Sequence, residues 1–300
     1  MNIPRQTAEQ ELLAELIQAF AELPQVVALG RGGSRNSQWQ DDHSDVDLIV
    51  FVNKPIALDI RENIAESRGT LESNVGLAFW DPGDEWIDQR TGLEIDLIYW
   101  DLAWISGDID RVLDRQEAWL GYSTCFLYTL QNLDILYDRY DWLAKLKYRC
   151  CQPYPEALRQ NIIARNYPLL KSVIPAYRNQ LDRASKREDY ISVNHRLAAL
   201  LAGYFDIVFA VNRQAHPGEK RLLSKAVQLC SQLPQNFEKD LNTLLNTSPS
   251  DSTVFLFQLD LMLEHLDKWL IDCGFDLQKL SNFRGWNIAD CGTNKAYPRK

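Results

Sequence analysis

Apolar residues recur at helical spacing through residues 7–23, where Leu12, Leu13, Leu16, Ile17, Phe20 and Leu23 line one face and Pro24 marks the stop. The pattern then changes period. Residues 25–29 (QVVAL) are short and β-branched and run into Gly30, Gly32 and Gly33, which reads as a strand followed by a glycine turn. Residues 46–52 (VDLIVFV) predict a second strand, broken by Asn53-Lys54-Pro55 before a helix over 57–66. Further strands are expected at 75–79 and 93–100 (LEIDLIYW), separated by a polar, turn-rich stretch over 81–92. A helix follows at 109–120 and a last strand at 133–137. Beyond Trp142 the period is helical throughout, over 154–184, 189–212, 222–233, 237–245 and 253–272, with no strand pattern among them. The expected architecture is an α/β domain over residues 1–145, a mixed sheet with flanking helices, followed by an all-α helical domain over 146–300.

Charge follows the same division. Residues 1–140 hold 25 acids and 10 bases, a balance of −15; residues 141–300 hold 16 acids and 22 bases, +6; the two sum to the chain's −9. An acidic first half attracts divalent cations and repels a long polyanion, so extended nucleic-acid binding is not expected there. The opening residues are polar, and no apolar run approaches the ~18 residues that span a bilayer. Six scattered cysteines without a CxxC pair fit reduced thiols. These features predict a cytoplasmic chain that uses no membrane.

The chemistry concentrates around residues 30–50. Side chains alternate along a strand, so Asp45 and Asp47 project from one face at the start of the second strand. Two carboxylates held that close repel unless a cation lies between them, and Mg²⁺ prefers such oxygen ligands. Asp96, in LEIDLIYW, is the best-placed third acid, with Glu94 two residues earlier as the reserve. Just before them, Gly32-Gly33-Ser34-Arg35 offers backbone N–H groups unobstructed by a Cβ and a hydroxyl donor, a cradle for phosphate oxygens.

Taken together, a strand, Gly-Gly-Ser, about ten residues, Ser-Asp-x-Asp opening a hydrophobic strand, and a later strand with an inward acid resemble the nucleotidyltransferase superfamily of the DNA polymerase β fold. The likeness covers residues 25–100. It implies NTP binding, usually with two Mg²⁺ ions, and transfer of a nucleoside monophosphate with release of pyrophosphate. Gly33 and Ser34 then match the phosphate-binding pair, with Arg35 beside them; Asp45 and Asp47 match the metal ligands, and Asp96 the third acid. The chain's size, its helical second half and the segment NRQAHPGEK (212–220) look more like the small-molecule nucleotidyltransferases of the aminoglycoside and lincosamide type. On that likeness the substrates are ATP and the hydroxyl of a small-molecule acceptor. The stretch 35–40 departs from the narrower pattern, holding neither the Ala nor the further Gly usual before the Asp-x-Asp.

Lys220 follows the turn His216-Pro217-Gly218, where it would start a helix and could reach a phosphate. Glu188 and Asp189 open the helix over 189–212 and could take an acceptor proton, or simply favour the helix dipole. His43 sits beside the Asp45 motif. The nine tryptophans suit core packing better than an acceptor pocket. Two other functions compete with small-molecule transfer: a toxin-like nucleotidyltransferase acting on RNA or protein, and a non-catalytic nucleotide-binding module.

Overall fold

The helical spacing at the start of the chain becomes α1 (Arg5–Ala21), whose Leu12, Leu13, Leu16 and Phe20 are buried against a sheet. The computed structural model describes residues 5–32, 45–67 and 69–283. Six strands follow: β1 (Val26–Arg31), β2 (Val46–Val52), β3 (Thr70–Leu77), β4 (Gly83–Asp88), β5 (Glu94–Asp101) and β6 (Asp134–Asp138). Their order across the sheet is β3-β4-β5-β2-β1-β6, with β2 and β5 parallel and the other four pairings antiparallel. Alternation sends Val46, Leu48, Val50 and Val52, with Ile95, Leu97 and Tyr99, into one core with α1 and α2 (Leu58–Glu66). On the opposite face Phe51 meets Trp142, and Trp100 meets Trp104 and Phe126. These partners belong to α3 (Leu102–Leu113), α4 (Cys125–Asn132) and α5 (Trp142–Cys150). The mixed sheet with flanking helices is therefore as expected.

Several elements differ from the expectation. The strand expected at 75–79 starts earlier, at Thr70, and the stretch expected to be turns contains β4. Its Asp84 and Asp88 are buried, which hides the alternation that Trp86 would otherwise signal. Asp84 takes hydrogen bonds from Arg61 Nε at 2.9 Å, from the Tyr99 hydroxyl at 2.6 Å and from Gly76 N at 2.8 Å. The helix expected at 109–120 starts at Leu102 because the Asp101 carboxylate accepts from Trp104 N at 2.9 Å and caps it. The helices α4 and α5 were not anticipated.

Two compact units divide the chain. The first comprises Met1–Arg115 and Phe126–Pro153, the second Gln116–Cys125 and Tyr154–Lys300. The chain thus crosses between them three times, and the last crossing falls after Pro153 rather than near residue 145. Among its described residues the second unit is entirely helical: α6 (Glu156–Tyr167), α7 (Tyr177–Lys186), α8 (Tyr190–Val211), α9 (Leu222–Leu229), α10 (Phe237–Asn246), α11 (Ser252–Asp272) and α12 (Leu277–Asn282). The single helical period over 154–184 is divided because Pro168 opens a π-helical turn (Pro168–Ser172) and Pro175 precedes α7.

The segment 116–125 is fixed in the second unit by buried polar groups. Gly121 takes φ +77°, and a Cβ there would stand 2.8 Å from that of Ala202, so only glycine fits. Its N–H donates to Asn166 Oδ1 at 3.0 Å. Asp206 accepts from Ser123 N at 3.1 Å, Ser123 Oγ at 2.6 Å and Asn166 Nδ2 at 3.2 Å. Thr124 Oγ1 accepts from His216 N at 2.8 Å.

His216 itself is fully buried against the rings of Tyr122 and Phe209, with Cys125 Sγ 3.5 Å from its Nδ1. Burial first, and the Lys225 ammonium second, push its pKa down from 6.5 to about 3. Below its ordinary value the unfolded chain binds a proton that the folded chain refuses. Stability should therefore be unaffected by this group above pH 6.5 and fall as pH drops toward 3, by about 2 kcal/mol at pH 5. Urea unfolding of the wild type at pH 7 and pH 5, beside His216→Asn, checks this. The variant should lose that part of the pH dependence, and equal shifts in both proteins would exclude His216 as its source.

Candidate functional site

Asp45 lies immediately before β2, and Asp47 is the second residue of that strand. The parallel pairing of β2 with β5 sets Asp47 directly opposite Asp96. In-register neighbours on adjacent strands have backbones about 4.8 Å apart and point to the same face. On the other side of β5, the antiparallel pairing sets Glu85 of β4 opposite Asp96. Asp47, Asp96 and Glu85 thus form a row across three adjacent strands, and Glu94 shares the face two residues before Asp96.

The electrostatics follow from that crowding. The Glu94 carboxyl is pushed above its ordinary range, first by the charge of Asp45, then by desolvation and by Glu85, Glu72 and Asp47. Oxygen donors alone, set on one face and repelling one another, fit a hard divalent cation in kind. Among the described residues, no three His, Cys, Asp or Glu side chains converge closely enough to hold a metal ion as they stand.

The glycine turn begins beside these acids. Gly32 N donates to the Asp47 carbonyl at 3.0 Å, continuing the β1–β2 pairing past Arg31 and Leu48. Among the described residues, a Cβ on Gly32 would meet only Ile49, at 4.0 Å. Gly33, Ser34, Arg35 and His43 lie outside the described residues. The structure therefore sets Asp47 opposite Asp96, places Asp45 within electrostatic reach of Glu94, and joins Gly32 to the Asp47 backbone.

Glu85 was missed by the sequence reading, as was Glu72, which also acts on Glu94. A period-2 reading of Asp84-Glu85-Trp86-Ile87-Asp88 with Trp86 taken as core would have found β4 and placed Glu85 on the acid face.

The remaining expected residues belong to the second unit. Lys220 is exposed in the turn before α9. Glu188 is exposed, with φ +57°, between α7 and α8. Asp189 caps α8, accepting from Ser192 N at 3.1 Å and from Ser192 Oγ at 2.6 Å. Those two bonds hold its carboxyl below the usual range, which weakens it as a proton acceptor.

A family described as a domain of unknown function (DUF4037) matches residues 119–222. That stretch contains the Gly121–Cys125 turn together with Asn166, Asp206 and His216. No curated protein matches the sequence. Among solved structures, the chain is similar to a nucleotidyltransferase-like protein from Exiguobacterium sibiricum 255-15. The TM-score is 0.44 at 13% sequence identity, and the match covers 94% of this chain and 83% of that one. No helix among the described residues is long and apolar enough to cross a membrane.

Proposed function

We propose that the protein transfers a nucleoside monophosphate, AMP from ATP, to a hydroxyl of a small-molecule acceptor and releases pyrophosphate. The observation that carries this reading is the register of Asp47 opposite Asp96, with Asp45 two residues before Asp47 and Gly32 bonded to the Asp47 backbone. Asp45, Asp47 and Asp96 would hold two Mg²⁺ ions. When bound, such ions would withdraw charge from the α-phosphate and favour in-line displacement. The chain's own residues set the conditions for this. The carboxylate row creates a field that rejects a triphosphate arriving without cations, which ties nucleotide binding to metal binding. Glu85 and Glu94 deepen that field from the flanks, and Glu94 holds its proton more readily than an isolated glutamate. Gly33, Ser34 and Arg35 would supply the donors to the phosphate oxygens. Asp189 is engaged as a helix cap, which disfavours it as the base that takes the acceptor proton. The balance of −15 over residues 1–140 favours a small acceptor over a polyanion.

The test is pyrophosphate release from ATP across a panel of hydroxyl-bearing small molecules, with the α-phosphate label followed in parallel. Release should require both an acceptor and Mg²⁺ and should stop on chelation. Absence of release with every acceptor would overturn the reading, and label in RNA or protein would reassign the acceptor.

A further inference from the structure

We propose that Arg61 and Asp84 are positioning residues for the carboxylate row: the buried ion pair they form on one face of β4 holds Glu85 opposite Asp96 on the other, and so sets how tightly the row takes a divalent cation. This rests on the reading of that row as a metal-binding surface, and it gives the pair no contact with substrate.

Asp84 and Glu85 are consecutive on a strand, so their side chains leave β4 in opposite directions. Glu85 joins the row. Asp84, 1% exposed, shares the face of Trp86, which belongs to the core beneath α1 and α2. A buried ion pair is a poor source of stability, because desolvating two charges offsets most of their attraction. What it supplies is a single arrangement, since moving either partner leaves a charge buried alone.

The Asp84 carboxylate joins its strand to three other elements. Arg61 of α2 donates to it through Nε, at 2.9 Å, and through Nη2. The Tyr99 hydroxyl of β5 donates at 2.6 Å, and Gly76 N of β3 at 2.8 Å. The Arg61 guanidinium also lies 4.4 Å from the centre of the Tyr99 ring, and its Nη2 donates to the Gly83 carbonyl at 3.0 Å. One carboxylate behind Glu85 thus fastens β4 to both of its neighbouring strands and to the helix that covers them.

The ladder on the outer side of β4 is where such fastening matters. Its register with β3 shifts on both sides of the Asn74–Glu85 pair, between Thr70 and Glu72 and between Val75 and Leu77. Gly76 sits in the second shift with φ +88°, and an irregularity of this kind lets one strand advance a residue against its neighbour. The bond from Gly76 N ties it to Asp84. A one-residue slip of β4 against β5 would carry Asp84 away from Arg61 and turn Glu85 into the core, so the ion pair penalises the slipped register.

Calorimetric titration of the full-length protein with Mg²⁺, for Asp84→Asn and Glu85→Gln singly and together, tests this. Asp84→Asn should weaken Mg²⁺ binding about tenfold when Glu85 is present and add nothing in the Glu85→Gln background, because the pair acts through Glu85. Additive losses, which the missing charge alone would give, or an unchanged affinity in Asp84→Asn would overturn the proposal. Arg61→Met separates the two causes by sign. Removing a cation should tighten Mg²⁺ binding if only charge mattered, whereas lost positioning should weaken it, and tighter binding would overturn the proposal. Leu12→Ala, which loosens the same core from α1, should leave the affinity unchanged; an equal loss there would show general loosening instead. If a charge variant fails to fold, Tyr99→Phe, which removes one Asp84 donor and keeps the ring, enters the same cycle with Glu85→Gln and decides in the same way. A wild type that binds no Mg²⁺ would overturn this inference and the metal-binding reading together. Mg²⁺ binding coupled to Asp84 without pyrophosphate release from ATP would uphold this inference and sink the transferase reading alone.

Discussion

Replacing Asp45 and Asp47 together by asparagine should lower nucleoside monophosphate transfer by roughly a thousandfold or more while the fold persists. Asparagine keeps the size and the carbonyl oxygen but removes both charges from the strand that lies opposite Asp96. Neither position is in the hydrophobic core, so the packing of Val46, Leu48 and Val50 beneath them is untouched. Removing two mutually repelling charges should leave thermal stability unchanged or raise it slightly. The discriminating measurement pairs initial rates with Mg²⁺ titration of the melting temperature. The wild type should gain stability from Mg²⁺ and the double variant should not. A variant with full activity would eliminate the carboxylate row as the reactive site. Retained Mg²⁺ stabilisation with lost activity would instead move the metal to Asp96, Glu85 and Glu94. Because Glu85 faces Asp96 from β4, Glu85→Gln should reduce the rate as well, by a smaller factor.

The second large effect lies in the interior of the helical unit. Asp206→Ala should destabilise that unit by about 2–4 kcal/mol, since it removes the acceptor of Ser123 N and the shorter of two acceptors of Ser123 Oγ in a place water does not reach, while Asn166 Nδ2 keeps the Trp119 and Ile162 carbonyls. Asp206 is 1% exposed and Ser123 is 0% exposed, so neither can exchange its lost partner for solvent. The carboxyl group also fixes the conformation of 116–125, a segment that leaves one compact unit to join the other. Ser123→Ala should cost less, about 1–1.5 kcal/mol, because the Asp206 carboxyl keeps its bonds from Ser123 N and Asn166. Denaturant unfolding followed by tryptophan fluorescence and circular dichroism measures both. An Asp206→Ala cost below about 1 kcal/mol would show that the network is not what holds the segment.

The second prediction rests on a polar group whose importance only the fold reveals. In the sequence, Asp206 sits inside an apolar helical stretch and Asp84 inside an apparent turn. Their burial becomes intelligible only when Ser123, 83 residues away, and Arg61, 23 residues away, arrive beside them. His216 was legible only as part of a turn, and the fold makes it that turn's buried anchor.

The sequence by itself determined the opening helix, the strands β1, β2, β5 and β6 and their apolar faces, but not β4, α4 or α5. A period of two residues in VDLIVFV and LEIDLIYW puts Asp45 with Asp47, and Glu94 with Asp96, on the side opposite Val46, Leu48, Val50, Ile95 and Leu97. That follows from strand geometry alone. Helical spacing likewise decided that the described part of the second half holds helices and no strand. Register and connectivity belonged to the tertiary structure. Nothing local aligns residue 47 with residue 96, because that alignment comes from burying Val46, Leu48, Ile95 and Leu97 in one core. A one-residue slip would have turned the acids inward. Non-local contacts likewise brought β4 and Glu85 alongside and moved 116–125 into the second unit.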